Sequence, residues 1–151
     1  MLTDNEIEKK ILACGGKDII YDIYKNERLK TRHIDLALDK CHDYLAVLYQ
    51  HQKMNPSQIT KAIRIGINNE TIYAHQKLNQ ENMREAIDHE LNNGSDITKQ
   101  TLFEKELTED QIGYIVKKSD SETLTIFCSG MQKTKQKPKK TKWVEKAFFK
   151  L

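Results

Sequence analysis

Apolar residues in this chain return mostly at steps of three and four, so the pattern predicts a protein built mainly of helices. Thr3 and Glu6 stand at capping-box spacing before Ile7, Ile11 and Leu12, and Gly15-Gly16 closes that segment. Between Asp18 and Leu29, the residues Ile19, Ile20, Ile23 and Tyr24 fall near helical spacing, while their β-branched content leaves a strand open. The strongest stripe is Ile34, Leu38, Cys41, Leu45 and Leu48, widened by Ala37 and Tyr44. It predicts one helix from Thr31 to Gln52, the spine of the fold.

Asn55, Pro56 and Gln58 then form a stop and restart, opening a helix that runs to Ile65 before Gly66 breaks it. Further helices are expected over 70–78, 80–91 and 97–107, and Thr108 with Gln111 repeats the capping-box spacing ahead of Ile112, Ile115 and Val116. Residues 122–128 alternate instead, with Leu124, Ile126 and Cys128 on one side. That predicts a strand, which needs an edge to pair with, either Tyr21–Tyr24 or another subunit. No internal repeat is visible. The expected fold is mainly α: a compact helical domain over 1–130, with a short β element near 122–128 and a basic tail over 131–151.

Composition narrows the class. The 151 residues, 38% hydrophobic and 31% charged, suffice for one sizeable core. No apolar run is long enough to cross a membrane, and the first residues lack a basic-then-apolar leader. Three cysteines, Cys14, Cys41 and Cys128, are odd in number and far apart, which suits a reducing compartment better than a disulfide framework. A cytoplasmic protein is the expectation.

The net charge of +3 hides an asymmetry. Residues 131–151 carry eight lysines and one acid, whereas residues 1–130 carry 17 basic and 21 acidic side chains. Residues 85–110 hold eight acids against Lys99 and Lys105. Such asymmetry speaks of partners rather than fold.

Residues 58–77 carry the sharpest functional signal. Two short helices crossing steeply need a small residue where they meet, here Ala62, and a turn tolerant of positive φ, here Gly66. Ile65 and Ile67 flank the glycine, and Ile72 anchors the second helix. The segment resembles the Ala-x3-Gly-x5-Ile/Val pattern of helix-turn-helix transcriptional regulators, although Lys61 and His75 stand where that class usually has apolar residues. The resemblance implies a helix-turn-helix at 56–78, with helix 69–78 offered to a major groove. Asn68, Asn69, Glu70, Tyr73, Ala74 and Lys77 would face DNA, with Lys61 and Arg64 on the phosphate backbone. Lys133, Lys135, Lys137, Lys139, Lys140 and Lys142 would add sequence-independent phosphate attraction.

Trp143, Phe148, Phe149 and Leu151 then supply an amphipathic end. It is suited to docking on the body or a sister subunit, or to filling a partner's groove, ahead of a membrane surface.

Catalysis finds little support. His33, His42, His51, His75 and His89 form no metal-ligand spacing, no Cys-x2-Cys pair exists, and Gly15-Gly16 is not followed by a phosphate-loop Gly-Lys-Ser/Thr. No cofactor or metal is expected. The reading is a DNA-binding regulator or nucleoprotein accessory protein that docks on double-stranded DNA, with a homodimer formed through the Ile34–Leu48 helix or the C-terminal segment. The alternative is a non-enzymatic adaptor or inhibitor that binds a protein partner through its acidic 85–110 region or its C-terminal segment.

Overall fold

Local chemistry at the helix starts sets the boundaries of the structure. Thr3 accepts from the Glu6 amide while the Glu6 carboxylate returns to the Thr3 backbone, and Asn55 with Gln58, Ser95 with Thr98 and Thr108 with Gln111 repeat the exchange. Each such cap satisfies two orphan amides and contributes about 1 kcal/mol. The computed structural model describes residues 2–14 and 16–131, all of whose regular structure is helical. The elements are α1 (Asp4–Ala13), α2 (Lys17–Asn26), α3 (Thr31–Lys40), α4 (Leu45–His51), α5 (Pro56–Ile65), α6 (Asn69–His75), α7 (Gln80–Asn93), α8 (Asp96–Phe103), α9 (Glu109–Lys118) and α10 (Ser121–Met131).

The chain divides within α7 into two units, Met1–Asn82 and Met83–Leu151. In the first unit α1, α3 and α5 stack side by side in one layer, and α2, α4 and α6 in a second. Successive helix pairs are therefore copies of one motif, with first helices against first helices and second against second. This is the arrangement of a helix-pair solenoid. The N-caps of the first helices, Thr3, Lys30, Asn55 and Asn79, recur about every 25 residues. Each copy buries the same core positions. Ile7 and Ile11 correspond to Ile34 and Leu38 and to Ile59 and Ile63, while Tyr24, Tyr49 and Tyr73 fill the second layer with no exposed surface.

Three expectations from the sequence are corrected here. The single helix over 31–52 is two helices, because Cys41 ends α3 and Tyr44 takes a left-handed conformation (φ 56°) that turns the chain into α4. Both halves still face one core, so the apolar stripe runs on across the break. Residues 122–128 are helical, not a strand: Thr123, Leu124, Phe127 and Gly130 are the interior positions, at helical spacing. The proposed pairing segment Tyr21–Tyr24 lies in α2. An internal repeat is present.

In the second unit α8 packs against α10, and Phe103 meets Phe127 edge-on with ring centroids 5.6 Å apart. Leu102, Leu107, Ile112, Ile115 and Leu124 complete its core. Tyr114 of α9 donates to Asp88 of α7 at 2.7 Å, and Lys99 of α8 to the Thr123 hydroxyl of α10 at 3.0 Å. The lysines from Lys133 to Lys142 and the aromatic segment Trp143–Leu151 lie outside the described residues. Among the described residues no helix is long and apolar enough to cross a membrane.

Candidate binding surface

Buried side-chain amides hold the first unit in register. At the end of α4, the Gln52 amide nitrogen donates to the carbonyls of Tyr24 (2.8 Å) and Glu27 (2.7 Å), while its oxygen accepts from Leu29 N–H. At the end of α6, Gln76 repeats the pattern on Tyr49 (2.6 Å), Gln52 (2.7 Å) and Met54 N–H (3.2 Å). In the first copy Glu27 accepts from Leu2 N–H, where only an acceptor is used and a carboxylate serves.

A second ladder runs along the N-terminal ends of the first helices. His33 Nδ1 accepts from Lys30 N–H, and its Nε2 lies 3.3 Å from the Asp4 carbonyl. Gln58 donates to the Thr31 carbonyl (3.0 Å) and to Asp35 (2.9 Å), and Asn82 to the Pro56 carbonyl and the Thr60 hydroxyl (both 2.9 Å). One residue thus caps its own helix and grips the first residue of the preceding copy.

The α5–α6 corner, read from sequence as a helix-turn-helix, is one of these repeated corners. Ala62 and Ile72 are fully buried at the crossing, and Gly66 has φ 77°, as that turn requires. Asn69 and Tyr73, however, point inward: Asn69 donates to the Ile63 carbonyl, and Tyr73 has no exposed surface. Glu70 is half-buried, while Asn68, Ala74 and Lys77 are exposed. On α5, Lys61 is ion-paired with Asp39, and Arg64 is exposed. Two of the expected base readers are therefore core residues, which leaves Asn68 and Lys77 as outward polar groups of that segment. The apolar face expected to support a dimer, Ile34 to Leu48, is consumed inside the stack, with Ile34, Ala37, Leu38, Cys41, Leu45 and Leu48 all buried.

The cysteines also differ from expectation. Cys14 and Cys41 occupy the equivalent C-cap positions of α1 and α3, so stacking brings their Cα atoms to 5.4 Å and they form a disulfide. Asp43 lies beside them, and its carboxylate oxygen and the two sulfurs fall within 4.8 Å of one another. With the sulfurs joined, that cluster offers a metal no thiolate. Cys128 is a free, half-buried thiol whose pKa burial raises.

Clefts of the first unit include one of about 650 Å³ lined by Leu2, Lys10, Asp18, Tyr21, Asp22 and Glu27, and two more. One of about 740 Å³ is lined by Asn55, Pro56, Ser57, Thr60, Lys61, Arg64, Glu81 and Asn82. The other, about 360 Å³, lies between equivalent ends of α4 and α6 and is lined by Gln50, His51, Gln52, Lys53, Met54, His75, Gln76 and Lys77. Its lining residues fall within two related heptapeptides, Tyr49-Gln50-His51-Gln52-Lys53-Met54-Asn55 and Tyr73-Ala74-His75-Gln76-Lys77-Leu78-Asn79, which differ at two positions. The repeated Tyr-x-His-Gln-Lys run is the signal of this architecture in the sequence. Comparison with protein families, curated proteins and solved structures finds none that matches this chain.

Proposed function

We propose that this protein is a non-enzymatic adaptor, a rigid helix-repeat scaffold that holds a protein partner on its exposed rim. The observation that carries the reading is the pair of buried ladders, Gln52–Gln76 and His33–Gln58–Asn82. They fix successive helix pairs at one spacing, so exposed side chains recur in register along the stack. Repeated rows of this kind suit an extended or repetitive partner surface, and preorganisation lowers the entropic cost of holding it. Crosslinking of the full chain in its native cell, read by mass spectrometry, tests the reading. One protein partner should crosslink through lysines of the first unit and be lost when Gln76→Leu disorders the ladder. The absence of any protein partner overturns it.

A DNA-binding regulator is the second reading. It is favoured by exposed Lys61 and Arg64 on α5, by exposed Asn68 and Lys77 flanking α6, and by the lysine-rich segment 133–142. Interior Asn69 and Tyr73 weigh against base reading by α6. Duplex binding that survives moderate salt and is lost with Asn68→Ala and Arg64→Gln together would restore it.

A further inference from the structure

The heptapeptide repeat keeps more than the fold requires. Tyr49 and Tyr73 fill the core, Gln52 and Gln76 form the ladder, and Asn55 and Asn79 cap the next helices. His51, Lys53, His75 and Lys77 are exposed and make no hydrogen bond or ion pair among the described residues, yet their types are identical in both copies. The equivalent run one copy earlier, Tyr24-Lys25-Asn26-Glu27-Arg28, lacks the histidine, and its Asn26 bonds to Asp22 instead. The His-and-Lys pair therefore occurs in the two adjacent copies that share the 360 Å³ cleft.

The 2.7 Å bond from Gln76 to the Gln52 carbonyl fixes those two copies against each other. No acid lines the cleft, so two ammonium groups, two imidazoles and the Gln50 amide present donors with no internal counter-charge.

We propose that this cleft is an anion-recognition site that takes the carboxylates of an acidic peptide segment, the partner class for the adaptor reading on which this inference rests. Charge decides between carboxylate and nucleic-acid backbone. Phosphate backbones are held by many cations at once, whereas this cleft offers two lysines, set in a body whose residues 1–130 carry 17 basic against 21 acidic side chains. A small basic cleft in such a body suits one or two acidic side chains that enter locally. Charge-assisted hydrogen bonds from Lys53 and Lys77 would grip them, and His51 and His75 would orient them. Histidine and lysine near helix C-termini also favour the helix dipole, and the test has to separate that role.

Fluorescein-labelled hexaglutamate is titrated into the full chain at low salt and followed by anisotropy. The double variant Lys53→Gln/Lys77→Gln should weaken binding by about tenfold or more, as should His51→Gln/His75→Gln, since each removes two charge-assisted contacts. Lys117→Gln/Lys118→Gln removes the same charge from the exposed end of α9 and should leave binding unchanged. The proposal is overturned by equal loss in that control or by tighter binding of a duplex oligonucleotide through the same lysines. A lowered melting temperature with unchanged hexaglutamate binding also overturns it, by assigning these residues to helix capping. If a protein partner still crosslinks to all these variants, the cleft assignment fails and the adaptor reading stands. If hexaglutamate binds as expected and no protein partner crosslinks, the reverse holds.

Discussion

The two units join successive helix pairs by different means. In the first, the joints are interior amides: Gln58, Gln76 and Asn82 are at most 8% exposed, and each spans two copies with both its donor and its acceptor used. In the second, the joints include an exposed phenol on a carboxylate, Tyr114 to Asp88, and a half-buried ammonium on the buried Thr123 hydroxyl, from Lys99, while buried Glu90 of α7 accepts from Thr98 of α8. An interior amide that loses its partner leaves several backbone groups dry and unsatisfied, whereas a surface bridge that breaks is replaced by water. Losing an interior amide joint of the first unit therefore carries the larger penalty, while the second unit also has aromatic packing, Phe103 on Phe127, between α8 and α10.

The largest expected effect comes from breaking a rung. Gln76→Leu strands the Met54 N–H and the carbonyls of Tyr49 and Gln52 and should cost about 4 kcal/mol in urea unfolding. Gln76→Glu should be at least as harmful, because a carboxylate cannot donate to those two carbonyls. Glu27→Gln, at the copy where only an acceptor is used, should change stability little. Equal costs at positions 27 and 76 would remove the distinction between rung and surface.

Next in size is the covalent joint. In the first N-terminal rung His33 reaches Asp4 through one 3.3 Å contact, beside exposed ion pairs of Lys30 and Arg32 with the Asp4 carboxylate, where interior Gln58 and Asn82 make two bonds each. The disulfide between Cys14 and Cys41 ties the opposite ends of the same two helices. Cys41→Ser, or a reductant, should cost about 3 kcal/mol, and hydrogen exchange should rise first in α1 and α2. Uniform loss of protection across α1–α6 would show that the amide rungs alone do not hold the stack.

How much of this was legible in sequence follows the range of the interactions. The caps at Thr3, Asn55 and Thr108 are contacts between residues three apart, and the residue types announce them. The break at Tyr44 was not legible, because a left-handed tyrosine carries no glycine signal and the stripe from Ile34 to Leu48 looks the same for one helix as for a hairpin facing one core. Leu124, Ile126 and Cys128 alternate by coincidence, since burial follows Leu124 and Phe127. The rungs were hidden by their chemistry: glutamine and asparagine are ordinarily surface residues and histidine is intermediate, and here stacking buries them. The same holds for the candidate site. Asn69 and Tyr73 looked like a reading face, and the repeat that turns them inward shows only when residues 49–55 and 73–79 are set side by side.

A smaller effect probes the second unit. Lys99→Met removes the ammonium from Thr123 and keeps the aliphatic stem, so its cost should stay below about 1 kcal/mol. A cost matching that of Gln76→Leu would make the two units alike in their joints.

The smallest effect is a matter of pH, and it separates the carboxylate cap of α10 from the amide caps of α5 and α7. Asp120 accepts from the Thr123 amide at 2.7 Å at the start of α10, and that bond holds its carboxyl below the ordinary range. A carboxyl depressed on folding stabilises the fold fully above its unfolded value, near 4, and that contribution fades as pH falls through the lower folded value. The caps at Asn55 and Asn79 are amides and have no such step. Acid should therefore loosen the first turn of α10 while α5 and the start of α7 keep their caps, a difference that amide shifts of Thr123, Gln58 and Asn82 would follow. Asp120→Asn keeps an oxygen acceptor without the titration, so the Thr123 shift should lose its acid step with little change in melting temperature at neutral pH. If the step persists in that variant, it arises elsewhere in the second unit, and the contrast between titrating and amide caps does not explain its acid response.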